Sequence, residues 1–64
     1  MTTFTTYTDL LTHVGPLMGS MVNQREVEAV ADVLWDGGIR SEEDLEDAYP
    51  TDVAWNQLLD YVLA

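Results

Sequence analysis

Lysine and cysteine are both absent from this 64-residue chain, and each absence removes a set of functions. Without cysteine there is no disulfide framework, no thiolate nucleophile and no Cys-based structural metal site. Without lysine, Arg25 and Arg40 are the only strong cations, so the chain has no basic stripe with which to hold phosphate or an anionic membrane. Histidine occurs once, at position 13. No hydrophobic run approaches the length needed to span a bilayer, and the polar, threonine-rich start Met1–Thr8 lacks the basic and apolar regions of a signal peptide. The expectation is a soluble cytoplasmic protein. What the chain has in abundance is negative charge. Twelve Asp and Glu residues give a formal net charge of −10, which repels polyanions and invites a strongly basic partner.

The chain is nevertheless built to fold. Hydrophobic residues make up 47% of it, including two Trp, three Tyr and one Phe, which sets it apart from a disordered acidic tail. At this length a single domain, residues 1–64, is the only arrangement. Ordering so short a chain costs on the order of 100 kcal/mol, which burial barely offsets. Tight helix packing, oligomerisation or a bound partner must close the gap, and a homodimer is one open arrangement.

Hydrophobic spacing predicts an all-α fold, a small bundle of three or four short helices. The clearest runs from Gln24 to Asp36. Asn23 and Glu26 form a capping-box pattern, Val27, Val30, Ala31 and Leu34 make one apolar stripe, and Gly37-Gly38 supply a left-handed stop. Ser41 then caps Glu42-Glu43-Asp44, with Asp44 in the reciprocal position. Leu45, Ala48 and Tyr49 face inward, and Pro50 ends the element. Thr51 caps a last helix from Asp52 to about Leu63, with Trp55, Leu58, Leu59 and Val62 as its stripe. Near the start, Thr6 and Asp9 read as another cap, with Leu10, Leu11 and Val14 in a short helix that Gly15-Pro16 breaks. Leu17, Met18, Met21 and Val22 would continue as a further turn begun at Pro16. Residues 1–8 are expected to be extended or loose, since a lone strand has nothing to pair with unless a dimer supplies an edge.

Half of the acids are explained by helix starts. Asp9, Glu26, Glu42, Glu43, Asp44 and Asp52 face the positive end of a helix dipole, where each contributes ~0.3–1 kcal/mol. Glu28, Asp32, Asp36, Glu46, Asp47 and Asp60 are not so explained. Glu28–Asp32 and Asp32–Asp36 are like-charge pairs at i, i+4, and Asp36 sits at a helix C-terminus, so stability does not ask for this arrangement. Four helical residues rise ~6 Å, a spacing comparable to that of neighbouring phosphates. A carboxylate row on helix 24–36, continued by Glu42, Glu43, Glu46 and Asp47, would imitate a nucleic-acid backbone. Solubility, or a salt-rich habitat, is the competing explanation.

Catalysis finds little support. His13 has no obvious base or orienting partner, and so small a bundle leaves little room for a reaction pocket. A calcium loop starting at Asp36 fails, because Gly38, Arg40 and Ser41 occupy its third, fifth and sixth positions. No enzyme activity, cofactor or metal is expected. The stretch Leu34 to Leu45, with Gly37-Gly38-Ile39 between two helices, resembles the hairpin of helix-hairpin-helix DNA-binding modules. In those modules hairpin amides and nearby basic residues hold phosphate. Here Asp36, Glu42, Glu43 and Asp44 surround the turn, and direct nucleic-acid binding is not expected. Trp35 and Trp55 lie on or beside apolar stripes and read first as core. Trp35, beside the acidic row, is also placed to anchor in a partner's basic pocket. Met18-Gly19-Ser20-Met21 offers an adaptable apolar contact or a dimer seam.

In size, acidity and lack of catalytic motif the chain resembles small phage-encoded inhibitors of host defence, the anti-CRISPR and anti-restriction proteins, several of which mimic DNA. That resemblance implies a basic nucleic-acid-binding partner, such as a CRISPR effector subunit or another host nuclease, blocked sterically in the host cytoplasm. Glu28, Asp32, Asp36, Trp35, Glu42, Glu43, Glu46 and Asp47 would form the contact. The alternative is a small helical adaptor or assembly protein, homodimeric or not, whose acidity serves solubility.

Overall fold

The computed structural model describes residues 2–19 and 22–64. Four helices follow one another, α1 (Tyr7–Met18), α2 (Gln24–Asp36), α3 (Glu42–Ala48) and α4 (Asp52–Leu63), and no strand is formed among the described residues. The fold is a small all-α globule. Its boundaries are those the local chemistry dictates. Thr6 and Asp9 form a complete capping box on α1, as do Asn23 and Glu26 on α2, each satisfying backbone donors that a helix start leaves unpaired. Ser41 and Thr51 cap α3 and α4 through their hydroxyls.

At the end of α2, Gly37 keeps right-handed geometry and Gly38 takes the positive φ of 92°. Gly38 N–H donates to the Trp35 carbonyl and Ile39 N–H to the Leu34 carbonyl, the bond pattern of a Schellman stop. The turn throws Ile39 back into the core beside Leu34. Val27, Val30, Ala31 and Leu34 are all buried, so α2 is the central element, packed against α1 on one side and α4 on another. Leu10 and Val14 of α1, Leu45 of α3 and Leu58 of α4 complete the core around it.

Three sequence expectations are corrected. Pro16 does not break α1, which continues through it to Met18. The carbonyl that Pro16 leaves without a donor belongs to Thr12, which is exposed and open to water. Gly15, lacking a Cβ, avoids the clash that a proline imposes on the residue before it. Leu17 and Met18 therefore belong to α1, and Leu17 is largely exposed; Val22 is half-buried, while Ser20 and Met21 lie outside the described residues. Ala48 is exposed, because α3 is short and turns only Leu45 and Tyr49 inward.

The third correction concerns the N-terminal residues. They pair within the chain, without a dimer. Thr3 and Ser41 form an isolated antiparallel bridge, in which Phe4 N–H donates to the Arg40 carbonyl at 2.7 Å and Glu42 N–H to the Thr2 carbonyl at 3.0 Å. The second bond satisfies an orphan donor at the start of α3. Phe4 is only 1% exposed and is the largest fully buried side chain. A segment that reads as loose on composition thus straps α1 to the α2–α3 turn.

Candidate partner-binding surface

The α2 row is carried by helical periodicity. Glu28, Asp32 and Asp36 follow one another at four-residue steps and all three are exposed, on the side of the helix away from its buried stripe. The N-terminal end of the row meets Tyr7 of α1, whose hydroxyl donates to the Glu28 carbonyl at 3.2 Å. Burial pushes the Tyr7 phenol up to about 12, reinforced by the neighbouring Asp32 carboxylate and by the negative charge of Glu28.

Cations do little to neutralise these acids. The only approach of a basic to an acidic side chain within 4 Å among the described residues is His13 Nε2 to Glu42 Oε1 at 3.5 Å. Arg40 is spent elsewhere: its guanidinium lies 3.5 Å over the Trp35 ring and donates to the carbonyls of Trp35 at 2.7 Å and Ile39 at 3.0 Å. Positive charge at the C-terminal end of α2 complements the helix dipole and offsets the unfavourable placement of Asp36. Asp44 does not close a capping box with Ser41. Its carboxylate reaches one residue further back and accepts from Arg40 N–H at 3.0 Å. The Trp35 ring carries the Arg40 guanidinium on its face and stands nearly perpendicular to the Tyr7 ring, with centroids 6.3 Å apart. It remains half-buried, so only part of it is open beside the acidic row.

The α3 acids divide between two faces. Glu43 and Asp47, one turn apart, are exposed and point outward. Glu42 and Glu46 instead line an open groove of about 410 Å³ together with His13 of α1, Asp52 at the start of α4, Tyr49 and Trp55. Tyr49 and Trp55 meet edge to face with centroids 6.1 Å apart. The eight sequence-selected residues therefore comprise an α2 row of three acids with the half-buried Trp35 beside it, an outward α3 pair and a groove-lining α3 pair. Tyr7 beside the first and His13, Asp52 and Trp55 around the last are additions from the fold.

His13 has the partner that sequence reading did not find, since 29 positions separate it from Glu42. Its ring also packs against Phe4, with centroids 5.0 Å apart, so the imidazole joins α1, the strap and α3. Among the described residues no group of three or more His, Asp or Glu side chains is placed to hold a metal ion, and no helix is long and apolar enough to cross a membrane.

No known protein family, curated protein or solved structure matches the chain.

Proposed function

We propose that this protein is a non-enzymatic binder of a basic nucleic-acid-handling protein, a CRISPR effector subunit or another nuclease, and that it inhibits by occupying the partner's phosphate-binding site with carboxylates. One observation carries the reading. Glu28, Asp32 and Asp36 are exposed at ~6 Å steps along a rigid helix; Arg25 lies one turn before the row and Arg40 is held over Trp35 at its end, yet among the described residues no basic side chain comes within salt-bridge distance of the three carboxylates. Like charges at this spacing cost stability, and a partner's Lys and Arg side chains would repay that cost on binding. Long-range attraction from a net charge of −10 would speed the encounter more than it sets the final affinity. Glu43 and Asp47 widen the charged surface, and the open part of Trp35 adds apolar contact at its edge.

The test is capture from host-cell lysate at low and then moderate salt, with the wild type and a Glu28→Gln/Asp32→Asn/Asp36→Asn variant. Retention of a nucleic-acid-binding protein by the wild type alone, weakening as salt rises, is the expected result. Equal retention by both proteins would discard the reading.

A second reading, the helical adaptor, draws on a different surface. Val53 and Tyr61, 66% and 81% exposed, lie two turns apart on one side of α4. Sedimentation of the purified protein distinguishes it: concentration-dependent self-association abolished by Tyr61→Ser would favour assembly.

A further inference from the structure

We propose that the groove between α1, α3 and the start of α4 receives an arginine side chain from a basic partner. This rests on the reading of the partner as basic, and it assigns a specific occupant to a site away from the α2 row. Trp55 and Tyr49 give the groove half-buried aromatic walls. Glu46 and Asp52 are exposed carboxylates on the same groove, and Glu42 is engaged by His13. His13 is the sole basic side chain lining it.

Charge complementarity selects a cation, and the walls select its kind. A guanidinium is flat, weakly hydrated and able to stack on an aromatic face while its N–H groups reach carboxylates at the edge. An ammonium keeps its water more tightly and has no plane to stack. The chain already contains one such arrangement in Arg40, which lies on the Trp35 face with its N–H groups on carbonyl oxygens. The groove offers an indole with carboxylates in place of carbonyls, and the partner would supply the guanidinium.

The experiment is a titration of ¹⁵N-labelled full chain with the peptide acetyl-Gly-Arg-Gly-amide, beside its lysine counterpart, followed by amide and indole shifts. The expected result is saturable change centred on the Trp55 indole N–H and the Tyr49, Glu46 and Asp52 amides, with weaker binding of the lysine peptide. Glu46→Gln/Asp52→Asn should weaken the arginine peptide by roughly threefold to tenfold. Both positions are exposed, so the variant keeps the fold, which its unperturbed spectrum would verify. The α2-row triple variant should bind the peptide as the wild type does. Shifts spread over α2, equal loss in both variants, or equal affinity for the two peptides would overturn the proposal. Failure here, with lysate capture still dependent on the α2 row, removes the groove and leaves the proposed function standing. Peptide binding with a dispensable α2 row would do the reverse.

Discussion

Tyr7 is the residue whose surroundings most clearly set its chemistry. Its phenol is held up at about 12 by burial first, then by Asp32 and Glu28. In the unfolded chain the same group ionises near its ordinary value of ~10. Below that value both states hold the proton, and Tyr7 contributes no pH dependence. Above it the unfolded state loses the proton first, so this contribution to stability falls as pH rises from ~10 toward 12. A denaturation series over that range should show a steeper loss for the wild type than for Tyr7→Phe; parallel curves would refute it. Phe4 gives a larger effect. Phe4→Ala leaves a cavity at the best-buried site and should cost ~3–5 kcal/mol, most of the stability available to a domain this small. Phe4→Leu should cost less than ~1.5 kcal/mol. Urea melts check both, and an unaffected midpoint in Phe4→Ala would mean that the strap does not hold in solution.

At the scale of the element, what could be read from sequence was whatever is local. The capping pairs Thr6–Asp9 and Asn23–Glu26 are three residues apart, and their side chains close onto the backbone next to them. Such bonds follow from residue type and spacing alone. The bonds that join elements do not. Phe4 reaches Arg40, and His13 reaches Glu42, only after the chain has folded back on itself. Arg40 finds Trp35 five residues away because Gly38 reverses the chain between them. Of the candidate surface, the α2 row was legible because periodicity fixes it. The groove was not, because it is assembled from three helices. Pro16 was misread for another reason: a proline near a helix end, with an exposed carbonyl four residues back, costs less than one in the middle. Its coupling to Gly15 is testable. A Cβ on Gly15 would meet only Val27 Cγ1, at 4.0 Å, so Gly15→Ala has room. It should nevertheless gain little while Pro16 follows it, and up to ~1 kcal/mol in a Pro16→Ala background. Equal gains in the two backgrounds, read from thermal melts, would contradict the steric account.

For the whole molecule, charge is the governing quantity. A net charge of −10, with no Arg–carboxylate pair among the described residues, leaves self-repulsion as the dominant long-range interaction. Salt screens that repulsion and has almost no attraction to weaken. Raising NaCl from 10 mM to 0.5 M should add about 1 kcal/mol, or roughly 5 °C in Tm at this size. A flat or falling Tm would mean that attractive pairs outweigh repulsion. Changing pH would act on that repulsion and on local bonds together, because the carboxylates of Asp9, Glu26, Glu42 and Asp44 accept backbone N–H groups. The salt series leaves those acceptors intact and isolates the long-range contribution.

The strap also orders events in time. Phe4 is synthesised before α1 and α2, and the Arg40 carbonyl that receives its N–H only after them. Phe4 therefore has no backbone partner until α2 is complete, and the core closes only once the α2–α3 turn is free to fold. A chain that ends before Arg40 lacks the acceptor for Phe4 N–H and the Leu45 and Leu58 side chains of the same core.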